Sequence, residues 1–210
     1  MIICFEGPSA VGKTTLSQSL FPDFQPIPEV NQLFSRPIDA PKLWYFQKQV
    51  ERYQMARKAT RDVILDGDIF QPLWYNWVYD YPPEFPSKME TTRFYQSNIE
   101  QQTMAFPDLY FIFNVSEEQL RQRKQADATR TRRHFEHHLQ LIAPQQRYFR
   151  YLKKLGFAVE FIEYNDFDTT RHKILETIAS HQTAARSDLD NFHKIVDWLT
   201  KSLPNDVHTN

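Results

Sequence analysis

Two kinds of segment alternate along the chain when its apolar and polar positions are compared. Short continuous apolar runs occupy residues 2–6, 62–68, 107–115 and 157–164. Runs of this length are typical of strands that are buried on both faces. Longer segments with apolar residues at helical spacing separate them, most clearly at residues 40–60. Strands that alternate with helices predict a parallel sheet covered by helices on both faces.

Local signals predict a fifth extended piece and several helix ends. Residues 23–30 contain two prolines, which exclude a central strand and leave only a short extended piece. The first helix is predicted to begin near Lys13. Ser116 and Asp168 are predicted to cap two later helices. Residues 69–85 are rich in aromatic side chains and interrupted by prolines, and no regular element is assigned to them.

The last predicted helix, residues 187–202, carries an apolar stripe at helical spacing. Two uses of this stripe stay open, packing against the core of the same chain and pairing two subunits. No convincing linker precedes it. We therefore assign residues 1–182 to one domain and residues 187–203 to a helix appended to that domain.

Composition limits the classes of partner. The 210 residues carry a net charge of −1, so no overall field attracts nucleic acid or an anionic membrane surface. A hydrophobic share of 41% indicates a folded chain, and no apolar stretch approaches the ~20 residues of a membrane span. The single cysteine, Cys4, lies in an apolar run and forms no internal disulfide. We expect a cytoplasmic protein that binds neither nucleic acid nor membrane.

The first chemical motif is GPSAVGKT at residues 7–14. It fits the pattern G-x-x-x-x-G-K-[ST], in which the backbone amides of a glycine-rich loop cradle phosphates. It follows a predicted strand and opens a predicted helix, which is the context that the motif requires. Its lysine would reach the β and γ phosphates of ATP. The predicted nucleotide-binding residues are Gly7, Ser9, Ala10, Val11, Gly12, Lys13, Thr14 and Thr15.

A magnesium site is expected beside this loop. The Thr14 hydroxyl is the first predicted ligand of Mg²⁺. Sites of this type also use a carboxylate at the end of a neighbouring strand, and Asp66 ends the run VILD. Asp68 follows two residues later and is assigned to substrate binding, although a metal contact is also open. A turn-capping role is the alternative for either acid.

A basic stretch occupies residues 121–138, and the family resemblance described below implies that it forms a lid. Phosphoryl transfer needs charge neutralisation more than covalent chemistry, and a closing lid also excludes water. Arg130 and Arg132 are assigned to catalysis and Arg121 to nucleotide binding. A solvated basic helix face is the alternative.

In this order, the motifs resemble the P-loop kinases of nucleosides and nucleotides, specifically the deoxynucleoside kinase and thymidylate kinase group. The resemblance covers about residues 1–180. It implies a three-layer α/β P-loop fold with about five parallel strands, helices on both faces and an Arg-rich lid. It further implies ATP and Mg²⁺ as cofactors and a homodimer as the assembly.

The resemblance also assigns roles on the acceptor side. Glu29, in PEV, lies where the family places a Glu that acts as general base. Phe46 and Gln47 lie where the family's substrate helix carries an aromatic–Gln pair that faces the base. The residues themselves add Trp44, a further ring on which a flat substrate can stack, with core packing as the alternative.

One position departs from the family. The family has an Arg directly after the acid that ends the third strand, whereas this chain has Gly67. Arg36, Arg61 and Arg93 are the candidates to replace that cation, and Arg93 is included among the substrate-binding residues.

Charge also bears on the acceptor. A monophosphate brings about two negative charges, whereas the predicted pocket contributes Glu29, Asp66 and Asp68 and lacks the expected Arg. This favours a neutral hydroxyl whose proton passes to Glu29, although a plain surface carboxylate is the alternative for that residue.

We therefore expect a phosphotransferase that uses ATP and Mg²⁺ on a hydroxyl of a small molecule, foremost a (deoxy)nucleoside. The alternatives are a kinase of another hydroxylated compound such as an antibiotic or sugar, a nucleoside monophosphate kinase, and a nucleotide-dependent regulatory ATPase.

Overall fold

Five parallel strands form the central sheet. The computed structural model of the chain describes residues 1–79, 84–126, 135–164, 166–183 and 186–202. The order of the strands in the sheet is β2-β3-β1-β4-β5. All four predicted apolar runs and the extended piece form strands, so the predicted parallel sheet is confirmed. The strands are β1 (Ile2–Glu6), β2 (Gln25–Ile27), β3 (Val63–Asp66), β4 (Leu109–Asn114) and β5 (Val159–Glu163).

The central position of β1 determines where a ligand can bind. Phe5 of β1 pairs with Asp66 of β3, and Glu6 pairs with Ile112 of β4 on the other side. The chain order therefore reverses at β1, and ligands of open parallel sheets bind at the carboxyl ends of the strands where such a reversal occurs. Glu6 and Asp66 are the last residues of their strands and lie at this edge.

Ten helices surround the sheet in the described part of the chain. They are α1 (Lys13–Ser19), α2 (Val30–Leu33), α3 (Trp44–Lys58), α4 (Gln71–Val78), α5 (Lys88–Glu100), α6 (Glu117–Ala126), α7 (Phe135–Gln140), α8 (Ile142–Lys154), α9 (Phe167–Ser180) and α10 (Asp188–Ser202).

The helices cover both faces of the sheet. Successive side chains of a strand point to opposite faces, and those of β1 enter two separate cores. Cys4 belongs to the core that contains Trp74 of α4. Phe5 belongs to the core that contains Leu16 of α1 and Ile174 of α9. The three-layer arrangement predicted from the sequence is therefore confirmed.

The sequence did not predict α4, and several other helices begin at residues that differ from the prediction. Residues 71–78 form α4. The helix tolerates Pro72 because this residue lies in the first turn, where no amide donor is needed. α5 begins after a capping box made by Ser87 and Glu90, ahead of the predicted start at residue 91. Asp166, not Asp168, caps α9 by accepting a hydrogen bond from the Thr169 amide at 2.8 Å.

The stripe of α10 packs against the core. Phe192, Ile195 and Leu199 are fully buried, and Trp198 stacks on Tyr151 with ring centroids 4.7 Å apart. The start of the helix is also attached, since the carboxylate of its first residue, Asp188, accepts a hydrogen bond from the Phe106 amide. None of the helices in the described ranges has the length and apolar character needed to cross a membrane.

Candidate active site

The phosphate loop connects β1 to α1. Gly7 has φ +153°, and a Cβ at this position would lie 2.8 Å from the Phe113 carbonyl oxygen. Gly12 has φ +103° and immediately precedes the helix, and a Cβ there would lie 3.3 Å from the Tyr164 hydroxyl. Both glycines are therefore required by the left-handed backbone and by close neighbours.

A cavity of about 890 Å³ surrounds the loop. Lys13 lines it, with Nζ donating to the carbonyl oxygens of Gly7 at 2.8 Å and Pro8 at 3.4 Å. Tyr164, directly after β5, and Phe167, the first residue of α9, also line it. All predicted nucleotide-binding residues of the loop line this cavity: Gly7, Ser9, Ala10, Val11, Gly12, Lys13, Thr14 and Thr15.

The two predicted metal ligands are in contact. The Thr14 hydroxyl donates a 2.6 Å hydrogen bond to Oδ2 of Asp66. Oδ1 of the same carboxylate is buried and has no hydrogen-bond partner among the described residues. A hydroxyl and a carboxylate are hard oxygen donors that fit Mg²⁺. The described chain has no cluster of three or more His, Cys, Asp or Glu side chains suited to a metal, so the other ligands would be phosphate oxygens and water.

Glu6 connects three parts of the site, a role that the sequence analysis did not assign. Its buried carboxylate accepts hydrogen bonds from the amides of Gly7 and Asp68, both at 2.8 Å. The side chain of Gln145 in α8 donates a third, at 2.9 Å. Burial raises the pKa of Glu6. One carboxylate thus joins the phosphate loop, the turn after β3 and α8.

Asp68 is buried beneath the site and lines neither the phosphate-loop cavity nor the acceptor cavity described below. Its Oδ1 accepts a hydrogen bond from the Phe70 amide at 3.1 Å. Burial and the neighbouring Glu6 carboxylate raise the pKa of Asp68 to about 8. With a pKa above neutrality, the Asp68 carboxyl keeps its proton at neutral pH.

A buried arginine, Arg52, lies directly below the turn after β3. Its Nη2 donates to the carbonyl oxygens of Asp66 at 2.7 Å and Gly67 at 3.2 Å, and Nη1 donates to Oε1 of Gln49 at 2.7 Å. Sequence analysis did not consider it as the missing cation. The spacing of Tyr45, Gln49 and Arg52, which places them on one face of α3, was a signal that could have found it.

The conformation of Gly67 explains why no arginine follows Asp66. Its φ of +85° is in the left-handed region, where any other side chain is strained. A Cβ there would lie 3.5 Å from Cγ of Glu29, an ordinary van der Waals contact, so the backbone conformation and not a lack of space disfavours a side chain. Glu29 immediately precedes α2 without capping it through its side chain, and it lines the phosphate-loop cavity.

A second cavity of about 220 Å³, here called the acceptor cavity, adjoins the first. The two share part of their lining, and Phe46, Phe85 and Arg36 line the acceptor cavity only. Gln71 donates a 3.1 Å hydrogen bond from Nε2 to the Tyr75 hydroxyl. The shared residues are Asn31, Tyr45, Gln71 and Tyr75.

Several residues predicted for the acceptor lie elsewhere. Trp44 is buried in the core, with the Lys48 ammonium 6.0 Å from its ring. Gln47 and Arg93 are exposed and line neither cavity. Arg61 donates to the Pro22 carbonyl at the opposite edge of the sheet. Of the three arginines proposed to replace the family cation, only Arg36 borders the acceptor cavity.

The lid lies only partly within the described residues. Arg121 of α6 is bound by two glutamates, with Nη2 2.7 Å from Glu117 and Nη1 2.7 Å from Glu136, and it lines neither cavity. Arg130 and Arg132, assigned to catalysis from the sequence, lie outside the described residues.

The strand order, the phosphate loop and the Thr14–Asp66 pair together define a P-loop fold. A deoxyadenosine kinase from M. mycoides with bound dATP superposes with a TM-score of 0.59 at 15% identity, over 86% of this chain and 100% of that one. A thymidylate kinase from Candida albicans gives 0.55 at 17% identity, over 89% and 95%. The fold is therefore that of the P-loop nucleoside and nucleotide kinases, and the resemblance predicted from the sequence is confirmed at this level.

No protein-family model matches the chain, and no curated protein is significantly similar to it.

Proposed function

We propose that the protein is a kinase that uses ATP and Mg²⁺ and transfers the γ-phosphate to a hydroxyl of a small molecule, foremost a (deoxy)nucleoside. One observation carries this proposal. The cavity of the phosphate loop, which Glu29 lines, shares four residues with an aromatic cavity. A phosphate donor and a flat acceptor can therefore bind side by side.

The donor would be held mainly by the loop. Its amides and the Lys13 ammonium bind the phosphates, and Lys13 exchanges its contacts with the Gly7 and Pro8 carbonyls for phosphate oxygens. Thr14 and Asp66 would hold Mg²⁺, which neutralises phosphate charge when bound. Arg130 and Arg132 remain predicted to neutralise charge on the transferred phosphoryl group.

Glu29 is the best-placed base. Its carboxylate lines the cavity of the phosphate loop and is not used to cap α2. It can accept the proton of the attacking hydroxyl, which converts a weak nucleophile into a competent one. Asp66 and Asp68 are poorer candidates, because Asp66 is bound by Thr14 and Asp68 lines neither cavity.

The acceptor cavity suits a nucleobase. Its volume of about 220 Å³ is below the roughly 300 Å³ at which pockets for drug-sized ligands begin, so it accommodates a single flat ring system. Tyr45, Phe46 and Tyr75 supply aromatic surface for stacking. Gln71 supplies an amide whose carbonyl oxygen can accept from the edge of a base. We therefore assign base recognition to Gln71 in place of the exposed Gln47.

One observation favours a nucleoside monophosphate as a second candidate acceptor. Arg36 borders the acceptor cavity and could pair with a phosphate. Lys42 also borders it, but its ammonium is bound to Glu90 at 3.0 Å. Because Asp66 and Asp68 do not line this cavity, it is also less acidic than the sequence predicted.

An acceptor screen tests the proposal. The full chain is incubated with ATP and Mg²⁺ in the presence of nucleosides, nucleoside monophosphates or unrelated alcohols, and ADP formation is followed. We expect turnover with nucleosides, with Lys13→Met as the inactive control. Turnover with monophosphates alone would select the second candidate. ATP hydrolysis that no acceptor changes would overturn both and indicate a regulatory ATPase.

A further inference from the structure

We infer that Arg52 is a positioning residue for the metal ligand Asp66, on which it acts through the backbone of the turn after β3. The inference rests on the proposed binding of a nucleotide with Mg²⁺ but not on the identity of the acceptor.

The geometry of the guanidinium supports this role. One nitrogen, Nη2, donates to the carbonyl oxygens of two successive residues, Asp66 and Gly67. The other, Nη1, is held by Gln49 at 2.7 Å. Arg52 is 1% exposed, so water cannot take its place at these carbonyls. Buried carbonyl groups without a donor cost free energy, and the arginine therefore fixes the main chain at the end of β3.

The side chain of Asp66 is fixed from the opposite direction. Thr14 binds Oδ2 at 2.6 Å, which leaves Oδ1 buried and without a partner among the described residues. With both the backbone and one oxygen held, the second oxygen has a defined position. This arrangement presents a preformed donor to a metal ion.

Charge adds to the effect. Among the fully buried polar side chains of the described chain, Arg52 is the sole cation, beside the acids Glu6, Asp66 and Asp68. Burial lowers the pKa of the guanidinium, while the Glu29 and Asp66 carboxylates oppose this shift. Removing the cation would leave these buried acids without a compensating positive charge beside the turn, which disfavours the present position of the Asp66 carboxylate.

Nucleotide binding measured by calorimetry tests the inference without any turnover. The affinity for ADP is measured in Mg²⁺ and in EDTA, and the ratio of the two gives the gain in affinity that the metal provides. Arg52→Met and Arg52→Lys are compared with Arg57→Met, an exposed arginine on the same helix.

We expect Arg52→Met to reduce the gain from Mg²⁺ by about 10-fold or more, the usual effect of losing a residue that supports a metal ligand. Its affinity for ADP in EDTA should stay at the wild-type value, and Arg57→Met should match wild type in both conditions. An undiminished gain would overturn the inference. An equal loss in Mg²⁺ and EDTA would also overturn it, since that pattern indicates a general structural brace.

Arg52→Lys keeps the test decisive if the methionine variant does not fold. Lysine retains the charge but cannot hold two carbonyls and Gln49 with one ammonium group, so a partial loss of the gain is expected and a full gain would contradict the inference. Because ADP binding needs no acceptor, failure of the acceptor screen and failure of this test are distinguishable.

Discussion

Gln145 of α8 donates a hydrogen bond to Oε1 of Glu6 across 2.9 Å, although 139 positions separate the two residues in the chain. Oε1 also accepts the Gly7 amide, and Oε2 accepts the Asp68 amide. The helix that follows the lid region, the phosphate loop and the turn after β3 are therefore held by a single carboxylate.

Replacing Gln145 by Leu should weaken this junction. The substitution removes one donor from a buried carboxylate, and we expect the free energy of unfolding to fall by about 1–3 kcal/mol. Urea denaturation gives the value. Gln140→Leu, at an exposed position at the end of α7, is the matched control. Equal unfolding free energies for the Gln145 variant and wild type would show that the bond is not needed.

Glu29→Gln should abolish phosphoryl transfer without changing the affinity for the nucleotide. The amide cannot accept the hydroxyl proton, so kcat should fall by about 10²- to 10⁴-fold, the usual contribution of a general base. The affinity for ADP should not change, because the loop and the metal site are intact. Steady-state kinetics and calorimetry measure the two effects. Retained turnover would transfer the role of base to another residue.

Gln71→Leu should specifically weaken binding of the acceptor. A hydrogen bond contributes about 0.5–1.5 kcal/mol, so we expect the KM for the nucleoside to rise about threefold to tenfold. Gln47→Leu is the matched control because that residue is exposed, and its KM should equal that of wild type. The opposite pattern would restore Gln47 as the residue that contacts the base.

Asp68→Asn should change how stability depends on pH. The pKa of Asp68 is about 8 in the folded protein against an ordinary value of 3.8. Between these values the unfolded chain loses this proton and the folded protein keeps it, so the contribution of Asp68 to stability declines as the pH rises from about 4 to about 8. Asparagine does not titrate, so the variant should gain stability relative to wild type across this window.

The size of that gain is measurable by urea denaturation at pH 5 and pH 8. Each unit of pKa shift corresponds to about 1.4 kcal/mol, and we expect a difference of at least that size between the two conditions. Asp23→Asn, at an exposed position, should show no such difference. A constant offset between Asp68→Asn and wild type would mean that Asp68 is ionised throughout.

The sequence predicted the features that depend only on the pattern of neighbouring residues. The apolar runs identified the strands, and GPSAVGKT identified the phosphate loop, because both depend on local pattern. It did not predict α4, in which six of the eight residues are buried. This helix is stabilised by packing against distant parts of the core, which a local pattern of aromatics and prolines does not reveal.

Helix rotation limited the prediction of the acceptor side. Each residue of a helix turns about 100°, so Tyr45 and Gln47 lie on opposite sides of α3. The family resemblance pointed to Gln47, which is two positions after Tyr45 and therefore lies on the exposed side of the helix. Arg52, Gln71 and Gln145 come from three different helices, and only the tertiary packing of α3, α4 and α8 brings them to one edge of the sheet.

The wall of Asn31, Tyr45, Gln71 and Tyr75 belongs to both cavities. A ligand in one cavity completes part of the surface that the other ligand contacts. If a bound donor changes the affinity for the acceptor by some factor, thermodynamic linkage requires that a bound acceptor change the affinity for the donor by the same factor. For the proposed kinase, we therefore expect the dissociation constant of either substrate to differ between measurements made with and without the other substrate.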